Sequence, residues 1–115
     1  HFIKMDGPEV YKAAVRTMSE STTNILKNSG IKQDEIDYFI PHQANLRIID
    51  SLRKRLNLPT EKVMINVDRY GNTSSATIPI GFDEAVRENK IKTGDLILVT
   101  AAGGGFTYGS MIIKY

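Results

Sequence analysis

The sequence contains no cysteine. That absence excludes a disulfide scaffold, a thiolate metal site and a cysteine nucleophile supplied by these 115 residues. Tryptophan is absent too, and aromatic residues amount to a modest 8%. No apolar run approaches the roughly 20 residues that a membrane-spanning helix needs, and the opening residues His1 to Asp6 lack the layout of a signal peptide. An excess of one charge is lacking as well. A formal net charge of +2 with a pI near 8.9 is too mild to point to nucleic acid. The two histidines, His1 and His42, stand far apart and have no carboxylates at ligand spacing, so no metal site is expected. There is no internal repeat and no low-complexity linker. The length suits one domain, and the default expectation is a soluble, cytoplasmic protein with neither a membrane nor a nucleic acid as partner.

What is present reads as alternating helices and strands. Asp6-Gly7-Pro8-Glu9 offers an N-cap, a proline in the first turn and an early acid. Tyr11, Ala14, Met18, Ile25 and Leu26 follow near helical spacing, and Gly30 supplies the stop, which predicts a helix from Pro8 to Ser29. A turn over 32–36 leads to a strand over Asp37–Ile40, ended by Pro41, which lacks a ladder donor. Asn45 caps a second helix, Leu46 to Leu56, with Ile48, Ile49, Leu52 and Leu56 in one stripe. Val63–Val67 reads as a second strand, Asp68–Asn72 as a loop, and Thr73 to about Asn89 as a third helix with Pro79 early in it. Leu96–Ala102 is apolar throughout, as a buried strand would be, and Phe106–Tyr115 should return antiparallel after the glycines. The expected fold class is α/β: a mixed sheet of four strands covered by helices, with a carboxyl-terminal antiparallel hairpin. Four strands are few for a sheet covered on both faces, so the chain is expected to be a piece of a larger one.

Three loops then fall at one edge of that sheet, the edge where ligands bind in open α/β folds. His42 follows the first strand. Its imidazole suits a general base or a neutral donor to a developing oxyanion, although its spacing alone favours a loop histidine that caps a backbone group. Asn72 does not titrate, so in catalysis it orients or donates; Gly-Asn is also ordinary turn chemistry. Gly103-Gly104-Gly105 lets backbone N–H groups approach a ligand, or simply makes a hairpin turn. Neither a dinucleotide fingerprint nor a P-loop is present. Arg53-Lys54-Arg55, with Arg47 two turns earlier, is either a solvated helix face or a receptor for an acidic partner.

The strings Pro-His-Gln-Ala-Asn-Leu-Arg-Ile-Ile at 41–49, Tyr-Gly-Asn-Thr-Ser at 70–74, Gly-Asp-Leu-Ile-Leu at 94–98 and Gly-Gly-Gly-Phe-Thr-Tyr-Gly at 103–109 closely resemble the carboxyl-terminal half of β-ketoacyl-acyl-carrier-protein synthase III, a thiolase-like condensing enzyme. The resemblance runs from about Met5 to Tyr115. It implies a Cys-His-Asn catalytic set in which His42 and Asn72 match the histidine and asparagine, while the cysteine belongs to an amino-terminal half outside this sequence. It implies no bound cofactor, coenzyme A entering as an acyl thioester substrate, with acyl carrier protein and malonyl-acyl-carrier protein as partners and a homodimer as the complete protein. Gly104 matches the backbone donor for the acyl carbonyl. Gln43, Ala44, Asn45, Leu46 and Arg47 match the carrier-protein-binding segment, with Lys54 and Arg55 as helpers. Tyr11 stands where the family usually has phenylalanine in the pantetheine channel, and Ala44 and Asn45 line that same channel. Ala102 departs from the aromatic residue often found before the glycines, which widens the space beside His42. The family also has a strand before the first helix, central in its sheet; only Phe2-Ile3-Lys4 offers a stub of it. Without that strand the sheet is expected to have an open middle, and the isolated chain to be unstable. Two other readings share the residues: a related acyltransferase of secondary metabolism, and a docking module without chemistry. Docking alone needs neither His42 nor Asn72.

Overall fold

A computed structural model describes residues 4–115; Phe2 and Ile3 of the expected strand stub lie outside the described residues. The first helix, α1 (Gly7–Ser29), is closed at both ends as its sequence predicts. The Asp6 carboxylate accepts from the Glu9 N–H at 3.2 Å, and Gly30, at φ 69°, donates to the carbonyls of Leu26 and Lys27. Its buried stripe of Ala14, Val15, Met18, Thr22 and Leu26 lies against the sheet and the second helix, α2 (Leu46–Arg55). Asn45 caps α2 by accepting from the Ile48 N–H at 2.9 Å.

Among the described residues the sheet has three strands: β1 (Tyr38–Pro41), β2 (Leu96–Gly103) and β3 (Thr107–Lys114), in the spatial order β1-β2-β3. β1 runs parallel to β2 with Tyr38 opposite Ile97 and Pro41 opposite Thr100; β3 returns antiparallel with Gly103 opposite Thr107. Strand alternation sends Phe39 and Leu98 to one face and Tyr38, Ile40, Ile97 and Val99 to the other. The first face is covered by α1 and α2, the second by the later helix α4 (Thr77–Arg87). Helices on both faces make a three-layer α/β arrangement.

Three expectations need correction. Val63–Val67 is not a strand. Val63 makes one isolated parallel bridge to Phe39, and the Met64 N–H donates to the Phe39 carbonyl at 2.8 Å. Pairing stops there because the Gln43 side chain takes the N–H groups of Asn66 and Val67, and the chain turns into the four-residue helix α3 (Val67–Tyr70). The alternation that suggested a strand is still used, since Val63 enters one core cluster and Met64 the other. The third helix does not begin at Thr73: a 3₁₀ turn at Ser74–Ala76 precedes α4, whose third residue is Pro79. An amide in the first turn has no intrahelical acceptor, so the proline costs no hydrogen bond. Finally, the sheet has no gap in its middle, because β1 pairs directly with β2. A further strand would have to join at an edge.

Candidate active site

β1 and β2 deliver their carboxyl ends to the same edge, and each is followed by one of the predicted loops. The ladder runs one step past Pro41, with the His42 N–H donating to the Thr100 carbonyl at 2.8 Å, so the histidine backbone is fixed to the strand beside it. β2 ends at Gly103 and opens the glycine turn. The third loop comes from α3. Gly71 closes that helix at φ 67° and ψ −158°, a conformation that glycine adopts without strain. Asn72 follows directly, and its Oδ1 accepts from the Ser74 N–H at 2.8 Å. With the oxygen so engaged, the amide Nδ2 is the end left to donate.

His42, Asn72 and Gly104 line one cavity of about 570 Å³, together with Ala102, Thr77 and Thr107. Ala102 thus borders the same space as the imidazole. The His42 ring is half-buried, and its Nδ1 is sealed from solvent with no hydrogen-bond partner among the described residues. Desolvation lowers the imidazole pKa below its usual 6.5. A proton on Nδ1 would be an unpaired buried donor, which favours the neutral tautomer protonated on Nε2. Nε2 is then a donor available to a ligand. Among the described residues no group of three His, Asp or Glu side chains is placed to hold a metal ion.

The Asn72 loop is braced from behind. Glu84 of α4 accepts from Asn66 Nδ2 at 2.9 Å and from Arg69 Nη2 at 3.1 Å. Burial pushes the Glu84 carboxyl pKa up, but the hydrogen bonds from Asn66 and Tyr70 and the charge of Arg69 outweigh it and hold the group below its usual range.

The segment expected to meet a carrier protein divides. Gln43 has no exposed surface; its carboxamide is spent entirely on backbone groups, so its assignment as a docking contact is corrected to an interior one. A polar residue in a loop reads as exposed, and only the tertiary structure shows otherwise. Ala44 packs against the first core cluster, and Asn45 is engaged as the α2 cap. Leu46, Arg47, Lys54 and Arg55 are exposed. Arg47 lies over the Tyr11 ring at 5.5 Å, and the Tyr11 hydroxyl shares a 2.8 Å hydrogen bond with Ser51. Tyr11, Ala44 and Asn45 do not line the His42 cavity. Tyr11 instead borders a groove between α1 and α2, shared with Lys12, Arg16, Lys54 and Arg55. Lys12 and Arg16 were not singled out from the sequence. Their spacing of four on α1 puts them on one face, beside Tyr11, and that was the available signal.

Residues 26–115 match the family described as 3-oxoacyl-[acyl-carrier-protein (ACP)] synthase III, C terminal. The chain belongs to that family. It is 51% identical over 114 residues to the β-ketoacyl-[acyl-carrier-protein] synthase III of Aquifex aeolicus, a match covering 99% of this chain and 37% of the relative. The corresponding enzyme of Symbiobacterium thermophilum is 47% identical over 115 residues, all of this chain and 35% of that protein. The crystal structure of the Aquifex aeolicus synthase III superposes with a TM-score of 0.96, over 99% of this chain and 37% of that one. The chain therefore spans little more than a third of the length of these synthase III relatives. No helix among the described residues is long and apolar enough to cross a membrane.

Proposed function

We propose that this chain supplies the decarboxylating side of a synthase III active site, working as the carboxyl-terminal part of a complete condensing acyltransferase. The observation that carries the reading is the single cavity shared by His42, Asn72 and Gly104. In the proposed reaction an acyl group passes from coenzyme A to a cysteine on the amino-terminal part, since these 115 residues have none. Malonyl-acyl-carrier protein then enters. The bond from its methylene carbon to the carboxylate breaks, carbon dioxide leaves, and the electron pair moves onto the thioester oxygen as an enolate. His42 Nε2–H and the Asn72 amide donate to that oxygen. The enolate carbon attacks the acyl-cysteine carbonyl, to whose oxygen the Gly104 N–H donates, and the cysteine sulfur leaves. The product is a β-ketoacyl-carrier protein, the first condensation of fatty-acid synthesis.

Two neutral donors suit this step because the charge they meet exists only as the carbon–carbon bond breaks. They stabilise the transition state more than the ground state. The same reading gives the complete protein a cytoplasmic, homodimeric setting with no bound cofactor. Its carrier protein docks through Arg47 and Leu46, aided by Lys54, Arg55, Lys12 and Arg16 across the groove.

The test is His42→Ala in the complete synthase. Decarboxylation of malonyl-carrier protein should fall by about 10²- to 10³-fold, the usual loss for one oxyanion donor, while carrier-protein affinity stays within about twofold. Decarboxylation that survived the substitution would reject the oxyanion role.

A further inference from the structure

The Gln43 carboxamide uses every hydrogen-bonding valence it has, and it spends all of them on main chain. Nε2 donates to the carbonyls of Pro41 at 2.9 Å and Met64 at 3.0 Å. Oε1 accepts from the N–H groups of Asn66 at 2.9 Å and Val67 at 3.1 Å. The backbone N–H of Gln43 itself donates to Thr77 Oγ1 at 2.8 Å. One fully buried residue therefore joins the end of β1, the segment after the Val63 bridge, the start of α3 and the start of α4.

Few side chains fit this position. It needs two donors and two acceptors on one planar group. A carboxylate of the same shape has no donor and would set negative charge against two carbonyl oxygens. Asparagine has the right group on a stem one methylene shorter. Asn66, at the N-cap position of α3, makes no side-chain cap of its own. Its side chain is turned to Glu84, and its backbone N–H, with that of Val67, donates to the Gln43 oxygen, which fixes the entry into α3.

The two elements that Gln43 joins are the ones that carry the donors. His42 is its immediate neighbour in the chain. Asn72 lies one short helix and one glycine beyond Val67. We infer that Gln43 is the positioning residue that sets the imidazole of His42 and the carboxamide of Asn72 at the separation where both reach one thioester oxygen, with Thr77 as the second link. This rests on the reaction proposed above and assigns Gln43 a task in it other than meeting the carrier protein. An error of about 1 Å in such a pair costs on the order of a hundredfold in rate.

The experiment uses the complete synthase and five variants: Gln43→Glu, His42→Ala, the two combined, Thr77→Val and Thr77→Ser. Gln43→Glu should lower kcat for malonyl-carrier-protein decarboxylation by about ten- to a hundredfold, with KM changed by less than about twofold. In the His42→Ala background the same substitution should cost less than about threefold, because there is no longer a pair to align. A residue that merely holds the fold would lower both backgrounds equally, and that result, or a folded Gln43→Glu variant with its parent's kcat, overturns the inference. Should Gln43→Glu fail to fold, Thr77→Val decides. It keeps the side-chain shape, removes the acceptor of the Gln43 N–H, and should cut kcat about fivefold, with Thr77→Ser restoring it; an unchanged kcat overturns the inference. Failure of the underlying reaction looks different. In that case the parent enzyme does not decarboxylate, or His42→Ala does not matter, whereas failure of the inference alone leaves His42 essential and Gln43 and Thr77 indifferent.

Discussion

At the scale of single residues, the burial of His42 fixes the sign of a pH effect. Desolvation holds its imidazole pKa below 6.5 in the folded protein. Above that pH the ring is neutral whether the chain is folded or not, and the full stability is present. As the pH falls below 6.5 the unfolded chain takes up the proton first, so the folded state loses stability until the pH has passed through the lowered folded value. Donation from Nε2 to an enolate needs only the neutral ring, so activity should persist below pH 6.5, where the unfolded chain is already taking up the proton. The melting temperature of the complete synthase should drop more between pH 7 and pH 5 than that of a His42→Asn variant. Equal drops in the two proteins would mean that the imidazole is not held neutral by its surroundings.

At the scale of elements, α4 seats closely on β1 beneath the site. A Cβ placed on Gly81 would lie 3.0 Å from Cγ2 of Ile40 and 3.3 Å from Cγ of Met64. Ile40 is fully buried and branched at Cβ, so it has no room to yield. Gly81→Val should destabilise the protein by about 1–3 kcal/mol, the usual cost of overpacking. Gly7→Ala, with nothing within 4 Å of the added carbon, should leave the melt almost unmoved. A Gly81→Val protein that melts with its parent would contradict this packing. Legibility from sequence follows the same local logic. The ends of α1 were readable from Asp6 and Gly30, the start of α2 from Asn45, and the β2–β3 hairpin from an apolar run and three glycines, because each depends on neighbours in the chain. Val63–Val67 was misread because what ends its pairing is a side chain more than twenty positions away. His42, Asn72 and Gly104 stood out because their flanking strings carry a family resemblance. Gln43 sits inside the same string and was assigned to the surface, since no local pattern tells a buried carboxamide from a solvated one.

At the scale of the whole molecule, net charge is a poor guide to electrostatics. The chain carries only +2, yet Lys12 and Arg16 of α1 and Lys54 and Arg55 of α2 border one groove, with Arg47 over Tyr11 at its side. Asp50 offsets part of that charge by pairing with Lys54 at 2.8 Å. Arg47 is held instead by an aromatic face, which orients the guanidinium without neutralising it. A local field of this kind acts over roughly 8 Å at physiological ionic strength, so in the docking proposed above it would act on encounter more than on chemistry. In the complete synthase, Arg47→Glu should slow association with acidic carrier protein by about tenfold in dilute buffer, and the difference should close as salt is raised to molar levels. At saturating carrier protein kcat should be unchanged, because the groove shares no lining residue with the His42 cavity. Tyr11→Leu should give a smaller loss of the same kind by releasing the guanidinium from its platform, about 0.5–1 kcal/mol in affinity. Binding that ignored both substitutions at low salt would move the docking surface elsewhere on the molecule. Binding that weakened equally at all salt concentrations would mean that Arg47 acts through a direct, desolvated contact instead of through the field of the groove.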